Sequence, residues 1–358
     1  MRTWQRRLLV VAALAIPFSA CTAYLLFWPT GLDPEKWDPP DPPDWEDNHK
    51  LVSANILHPE LEGPEAVVVD SSGRIVTGLA DGRVVRFEPT FGSRVETLAK
   101  TGGRPLGLAY DGGGRLLIAD AARGLLAVNA QGAVEVLAAE QGGRPFRFTD
   151  DLAIAGDGTV YFTDASDRFS VGQFTMEIIE HRPRGRVLAY DPTTRATSLV
   201  AGGFYFANGI ALGPGEDYLL VSETSSYRIR KVWLRGEEHG KVETLVDNLP
   251  GFPDNIRWSP DRHLFWVAIG APRNSNVDWL AGHPFLRNAV VRLPTFLQPA
   301  PDKHSYALAF DERGKLVHDL QGSGESAYVP IASVMEHQGI LYLGSFQHGG
   351  VARIAAPR

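Results

Sequence analysis

Residues 149–164 read TDDLAIAGDGTVYFTD, which is a short apolar run, a Gly-Asp-Gly turn and a second apolar run. Short apolar or β-branched runs separated by glycine-rich turns are typical of β-strands, and long amphipathic helical stretches are missing from residue 51 onward. Similar units of strand, turn and strand recur along the chain, beginning at Pro64, Pro105, Ala207, Pro253 and, more weakly, Pro330. The repetition predicts an all-β array of related units.

The spacing of these units matches that of propeller blades. The second residues of successive units are 41, 44, 58, 46 and 77 positions apart, whereas a four-stranded blade takes roughly 40–50 residues. The longest interval carries an insertion at residues 271–303. We therefore predict a six-bladed β-propeller over residues 51–358, with a strand near 51–57 completing the last blade. The alternative is an unclosed β-sandwich array.

We call the second residue of each unit its register mark. It occupies the same position in every unit and is therefore expected at the same depth of the innermost strand. Innermost strands face the central channel, so these residues should converge there. Two marks, Leu106 and Ile331, are apolar. The other four carry side-chain oxygens: Glu65, Asp150, Asn208 and Asp254.

Three converging carboxylates would repel one another unless a cation lies among them. Oxygen donors from separate blades suit Ca²⁺, which accepts six to eight oxygens in loose geometry. Asn255, next to Asp254, could add an oxygen or orient the other ligands. The alternative is that these residues cap the inner strands and bind water.

Other kinds of site lack support in the sequence. The ten histidines show no zinc-type spacing, and the single cysteine, Cys21, excludes an internal disulfide framework. No GxSxG elbow, phosphate loop or dinucleotide fingerprint is present. The net charge is −7, and it is −10 without the three arginines near the N-terminus, which argues against nucleic-acid binding.

Two further groups of residues are interpreted through the structural roles that they could have. Asp164 and Glu223 end the second strands of their units and are expected to form hydrogen bonds in turns. The insertion carries three aromatic residues that could form an apolar lid over the channel or pack within their own loop: Trp279, Phe285 and Phe296.

The N-terminal 28 residues predict a membrane anchor. Residues 8–28 run 21 positions without a charge, enough for a helix that spans a bilayer, and the arginines before them predict a cytoplasmic N-terminus. The propeller would then be periplasmic or otherwise extracytoplasmic. A cleaved signal peptide and a lipoprotein signal ending at Cys21 remain alternatives. Residues 29–50, with six prolines and a net charge of −5, predict an extended acidic linker.

The chain resembles the strictosidine synthase-like family, in particular the branch of adipocyte plasma membrane-associated proteins. The resemblance covers essentially the whole chain, including the apolar N-terminus and the WDPP linker, and is carried by GRPLGLAYDGGGRLLIADAARGLLAV, DDLAIAGDGTVYFTDAS, FANGIALGPGEDYLLVSET, GFPDNIRW and MEHQGILYLGSF. The wider superfamily of paraoxonases, gluconolactonases and diisopropylfluorophosphatase implies a six-bladed propeller with calcium in its channel.

The resemblance also implies a set of calcium ligands in this chain: Glu65, Asn208, Asp254 and Asn255. The family's VNDL asparagine falls on Asp150, a departure that keeps an oxygen donor and adds a negative charge. The catalytic histidine of paraoxonases falls on Leu106, and the glutamate of true strictosidine synthases falls on Ala332. Histidine-assisted water activation at that position and Pictet–Spengler condensation are therefore not expected.

The sequence and the resemblance together predict a calcium-dependent hydrolase of small-molecule esters or lactones. Calcium would polarise the carbonyl group. Asp254 would act as general base or nucleophile, with Asp150 as the competing candidate. The alternative is a non-catalytic propeller that binds a ligand or partner and holds calcium for structural reasons.

Overall fold

The propeller prediction is confirmed in the computed structural model, which describes residues 4, 19, 21–25, 27–299, 302–325 and 327–358. Within these residues, six antiparallel sheets of four strands each are arranged in chain order. The chain runs outward through each of the first five sheets, from the innermost to the outermost strand. The sixth sheet is completed by the strand nearest the N-terminus.

The strands of the first three blades have the following bounds. Blade 1 contains β2 Val67–Val69, β3 Ile75–Gly78, β4 Arg83–Phe87 and β5 Glu96–Lys100. Blade 2 contains β6 Pro105–Tyr110, β7 Leu116–Asp120, β8 Gly124–Val128 and β9 Val134–Ala138, and a small hairpin follows it, β10 Glu140–Gln141 and β11 Arg144–Pro145. Blade 3 contains β12 Thr149–Ile154, β13 Val160–Asp164, β14 Gly185–Asp191 and β15 Ala196–Phe204.

The remaining strands form blades 4 to 6. Blade 4 contains β16 Ala207–Leu212, β17 Tyr218–Glu223, β18 Arg228–Trp233 and β19 Val242–Val246. Blade 5 contains β20 Gly251–Ser259, β21 Leu264–Pro272, β22 His304–Phe310 and β23 Leu316–Ser323. Blade 6 contains β24 Ser333–His337, β25 Ile340–Gly344, β26 Gly349–Ala355 and β1 Asn55–Glu62.

Helices occur mainly in two insertions. The first lies between β13 and β14 and contains a 3-10 turn at Val171–Gln173 and helix α1, Phe174–Glu180. The second lies between β21 and β22 and contains α2 Ser275–Ala281, α3 Pro284–Val291 and a 3-10 turn at Thr295–Leu297. Two more 3-10 turns lie in blade 4, at Pro214–Glu216 and Thr224–Ser226.

The ring closes through β1, which pairs antiparallel with β26. Asn55, Ile56 and Leu57 lie opposite residues 353, 352 and 351. This closing strand confirms the predicted completion of the last blade, although the strand begins at Asn55 rather than at residue 51. Because β1 pairs within the sheet of blade 6 and precedes blade 1 directly along the chain, it ties the first blade to the last and closes the ring.

Apolar clusters fill the interfaces between neighbouring blades. Each of six buried clusters combines side chains from two adjacent blades. In one of them, Leu108 and Ile118 of blade 2 pack with Val76 of blade 1. The largest joins blades 4 and 5 and includes Phe265 and Leu220, both almost fully buried. Burial of this apolar surface is the main stabilising contribution to the ring.

The acidic linker at residues 29–50 lies extended along the propeller and makes many contacts with it. The indole of Trp37 stacks on the imidazole of His181 with ring centroids 4.4 Å apart. Arg182 donates to a carboxylate oxygen of Asp33 at 2.6 Å, and Gln321 donates to the carbonyl oxygen of Glu46 at 3.1 Å. The linker is therefore docked on the propeller along much of its length.

The predicted membrane span, residues 8–28, falls mostly outside the described residues. Of these positions the structure describes only 19, 21–25, 27 and 28. In the part of the chain that is described, no helix is both long enough and apolar enough to cross a bilayer.

The inner strands of neighbouring blades approach closely at glycines that follow a register mark. A Cβ atom added at Gly209 would lie 2.5 Å from the Cα atom of Asn255 and 2.5 Å from the carbonyl oxygen of Asp254. We expect Gly209→Ala to lower the free energy of unfolding by about 1–3 kcal/mol, because backbone atoms cannot move aside cheaply. Thermal unfolding measures the loss.

Gly112→Ala is the matched control, because a Cβ atom there would meet nothing within 4 Å. It should unfold within a degree or two of wild type, as is usual for surface substitutions of about 0.5 kcal/mol or less. Equal melting temperatures for the two variants would contradict the close approach of β16 and β20.

Candidate functional site

The oxygen-bearing register marks of blades 3, 4 and 5 lie on β-bulges. The pairing of β12 with β13 shifts between Thr149 and Leu152, and matching shifts occur after Ala207 in β16 and after Pro253 in β20. Each bulge places one extra residue in the inner strand, which bends the strand and re-aims its side chains. The bulges thus free Asp150, Asn208 and Asp254 from the regular alternation of their strands.

Hydroxyl groups on neighbouring elements fix the backbone around these residues. Thr163 donates to the carbonyl oxygen of Asn208 at 2.7 Å, and Thr224 donates to that of Pro253 at 2.7 Å. In the same way Ser333 of blade 6 donates to the carbonyl oxygen of Glu65 at 2.5 Å. Adjacent blades therefore hold each other's inner strands in register.

The structure buries all five predicted ligands and leaves several of their oxygens without a hydrogen-bond partner among the described residues. Asp150 is 2% exposed and Asn255 is 1% exposed, and the other three are also buried. Four side-chain oxygens, two from carboxylates and two from amides, have no such partner: Oδ1 of Asp150, Asn208, Asp254 and Asn255. Such atoms cost free energy unless a ligand satisfies them.

The carboxylates lie near enough to affect one another. Burial, and after it the charges of Glu65 and Asp254, raises the pKa of Asp150 well above its usual value. Burial and the charge of Glu65 also raise the pKa of Asp254, while a hydrogen bond from Asn208 opposes that rise. The structure thus brings these three acids near one another, an arrangement that is electrostatically unfavourable without a cation.

Two arginines that the sequence analysis did not identify also belong to the channel. Arg104 donates from Nη2 to Glu65 at 2.9 Å and from Nη1 to the carbonyl oxygen of Gly63 at 3.0 Å. Arg257 binds both oxygens of Asp151, at 2.5 and 2.7 Å. The one sequence signal for Arg104 is its position two residues before a register mark.

Acidic residues at the ends of second strands organise the loops that enter the inner strands. Asp164 accepts hydrogen bonds from the backbone of Arg147 and Phe148 and pairs with Arg186 at 2.9 Å. Glu223 accepts from the backbone of Tyr205 at 2.8 Å. The prediction that Asp164 and Glu223 form hydrogen bonds is therefore correct, and their backbone partners lie two or three residues before Asp150 and Asn208.

An apolar cluster surrounds the register mark of blade 2. Leu106 packs with Phe148 and Phe206, and Phe174 and Ile178 of α1 pack against the same cluster. The ring of Phe174 also lies 6.0 Å from that of Phe346, which follows β25. Helix α1 therefore bridges the side of the propeller where the inner strands begin.

The three aromatic residues of the second insertion do not close over the site. Trp279 is 58% exposed, Phe285 is 54% exposed and Phe296 is 84% exposed. Trp279 stacks on His283, and the ring of Phe285 lies 6.4 Å from that of Phe27. The apolar cover beside the register marks is formed by α1 instead.

The residues present fit a hard cation such as calcium. Across the described ranges, no group of three or more His, Cys, Asp or Glu side chains forms a metal site by itself. The partnerless atoms instead combine carboxylate and amide oxygens, which is the donor chemistry that Ca²⁺ accepts. Glu65, the fifth predicted ligand, already has a cationic partner, Arg104.

The fold and channel define a six-bladed β-propeller with a buried cluster of oxygen donors at the start of its inner strands. Two family models match parts of the chain. Residues 150–237 match the model described as strictosidine synthase, and residues 43–87 match the one described as strictosidine synthase-like, N-terminal.

Curated relatives extend the match over nearly the whole chain. The adipocyte plasma membrane-associated protein of Rattus norvegicus is 32% identical over 97% of this chain and 98% of its own length. The protein STRICTOSIDINE SYNTHASE-LIKE 6 of Arabidopsis thaliana is 36% identical over 82% of this chain and 79% of its own length. The chain belongs to the strictosidine synthase-like family, which includes the adipocyte plasma membrane-associated proteins.

Solved structures agree on the fold. A gluconolactonase from Xanthomonas campestris superposes with a TM-score of 0.61 at 18% identity, covering 91% of this chain and 97% of that chain. A calcium-binding protein, regucalcin, from Agrobacterium tumefaciens superposes with a TM-score of 0.56 at 13% identity, covering 86% and 93%. At these identities the likeness establishes the propeller architecture.

Helix α1 carries a buried carboxylate that makes stability depend on pH. Burial raises the pKa of Glu177 to about 7, although the Ser166 hydroxyl donates to it and opposes the rise. Between pH 4.5 and about 7 the folded state therefore binds more protons than the unfolded chain, and the free energy of unfolding falls as pH rises through this window.

We expect Glu177→Gln to weaken this fall by close to one proton and to be more stable than wild type at pH 8, by on the order of 2 kcal/mol. Chemical denaturation at pH 5, 6, 7 and 8 measures the difference. Glu237→Gln, in an exposed turn, is the control and should follow the wild-type curve. The same pH dependence in Glu177→Gln and wild type would contradict the assignment.

Proposed function

We propose that this protein is a calcium-dependent hydrolase of small-molecule esters or lactones. The observation that carries the proposal is the set of four buried, partnerless side-chain oxygens from blades 3, 4 and 5 among the described residues. A gluconolactonase and a calcium-binding regucalcin among the structures of the same fold support it. Glu65 completes the ligand set from blade 1.

The residues of the site would have different roles in the hydrolysis. Bound calcium would polarise the substrate carbonyl and stabilise negative charge on its oxygen. Asn208 and Asn255 would orient the ligand set through their amide groups. Asp254 would accept a proton from water as the water oxygen adds to the carbonyl carbon. The bond to the leaving oxygen then breaks, and the proton passes from Asp254 to that oxygen.

Asp150 is the competing base, because it shares the burial and the partnerless oxygen of Asp254. Calcium lowers the pKa of a carboxylate that it binds directly, so the better base is the carboxylate that the ion engages less. The apolar cluster around Leu106 and Phe206 adjoins the register marks. It suits a substrate whose ester or lactone carries an apolar part.

The first experiment uses the full chain purified in detergent. Calcium content and thermal unfolding are measured with and without a chelator, while phenyl acetate and a panel of lactones are assayed on the same samples. We expect bound calcium, a lower melting temperature after chelation, and turnover that chelation abolishes and calcium restores. Bound calcium without turnover of any ester or lactone would favour the non-catalytic binding propeller, and absence of calcium would overturn the metal site.

Two variants then assign the base. Asp254→Asn is expected to lower kcat at least about 100-fold while calcium remains bound, because the proton acceptor is lost. Asp150→Asn is expected to lower kcat less. Asp261→Asn, at an exposed turn, is the control. Full activity of Asp254→Asn with calcium bound would show that Asp254 is not the base, and a 100-fold loss in Asp150→Asn would transfer the role.

We also propose where the protein lies in the cell. Residues 8–28 would anchor the protein in a membrane with the N-terminus in the cytoplasm, and the propeller would lie on the other side. Millimolar calcium is more available there and suits a site of modest affinity. Protease added to intact spheroplasts should therefore cleave the propeller. Complete protection until the membrane is lysed would contradict this topology.

A further inference from the structure

The Glu65–Arg104 pair places a fixed positive charge directly on a predicted calcium ligand. The guanidinium lies between the carboxylate of Glu65 and the carbonyl oxygen of Gly63, with donor–acceptor distances of 2.9 and 3.0 Å. The side chains of Arg104 and Glu65 are 13% and 8% exposed. The pair is thus largely shielded from water, and its attraction is stronger than that of a surface ion pair.

The backbone of Arg104 is held firmly, whereas its side chain is held by the two hydrogen bonds just described. The backbone N–H donates to Asp120 at 3.1 Å, and the carbonyl oxygen accepts from the backbone of Ala121 at 2.9 Å. Any rearrangement of this residue is therefore a rotation of its side chain. The side chain is 13% exposed, which leaves it a route toward solvent.

Arg257 differs from Arg104 in how its partner holds it. Asp151 binds Arg257 through both carboxylate oxygens and also accepts from the backbone of Ile210 at 3.0 Å. A bidentate pair of this kind is geometrically specific and strong. Arg104 contacts a single oxygen of Glu65, so of these two arginines it is the more readily displaced.

We propose that Arg104 is the resident counter-ion of the calcium site: it holds Glu65 while the metal is absent and is displaced from Glu65 when calcium binds. The inference rests on the metal of the proposed function. Arg104 engages one oxygen of Glu65, and a divalent cation bound by the same carboxylate would lie close enough to the guanidinium for the two positive charges to repel. Calcium and Arg104 therefore compete for Glu65, and Arg104 sets the calcium affinity.

The test is calcium binding by titration calorimetry, with the full chain in detergent and calcium chloride as titrant. Wild type is compared with Arg104→Met, Glu65→Gln and the double variant. Removing a positive charge that repels a divalent ion should tighten binding by about tenfold or more in Arg104→Met. Glu65→Gln should weaken binding, and it should weaken binding more when Arg104 is absent, because Glu65 is then a ligand without a competitor.

Arg262→Met is the matched control, since Arg262 forms a comparable ion pair with Glu336, at 3.1 Å, at the opposite end of β20 from Asp254. It should leave the calcium dissociation constant unchanged. Arg104→Gln, which retains polar bulk, replaces Arg104→Met if the latter does not fold. Melting temperatures in chelator provide a second readout: Arg104→Met should lose stability that saturating calcium restores, whereas the loss in Arg262→Met should persist.

The outcomes separate this inference from the proposed function. If wild type binds calcium and neither Arg104→Met nor Glu65→Gln changes the affinity, the pair is a static structural contact and the inference is overturned while the hydrolase proposal stands. If wild type and Arg104→Met both bind no calcium, the metal site is wrong and both proposals fall. Tighter binding in Arg104→Met with coupling to Glu65 supports the inference.

Discussion

Pairing of β1 with β26 is the contact on which the rest of the structure depends. It joins residues near 55 to residues near 353, and so brings the first blade against the last. The position of Glu65 follows from this closure, because Ser333 donates to its carbonyl oxygen and the backbone of Ser345 donates to that of Pro64. Without closure, the blade 1 ligand would not face the others.

The closed ring concentrates negative charge in a place where water is scarce. Four carboxylates lie near one another, Glu65, Asp150, Asp151 and Asp254, and two arginines, Arg104 and Arg257, offset part of their charge. Two negative charges remain while Arg104 holds Glu65, and this excess attracts a cation. Bulges, buried like charges and partnerless oxygens all lower the stability of the folded state, and here they occur together at the register marks. Such a concentration of unfavourable features is expected at a site whose residues serve binding rather than stability.

A second layer covers the start of the inner strands. Arg287 donates to the carbonyl oxygens of Ile179 at the end of α1 and of Ala281 at the end of α2, at 2.8 and 2.6 Å. Trp37 of the linker stacks on His181, which follows α1. The linker and the two insertions are thus joined into one layer, so the segment that leads toward the N-terminus contacts the helix beside the candidate site.

The sequence by itself determined the repeat, and with it the number of blades and the depth at which Asp150, Asn208 and Asp254 enter the channel. These follow from local patterns, since a strand, a turn and a strand recur with the register mark at the same place in each unit. Only the tertiary structure decided that Arg104 pairs with Glu65, that Arg257 neutralises Asp151 and that α1 covers the site. Such contacts join residues 39 to 106 positions apart, and no local pattern encodes which distant side chains meet.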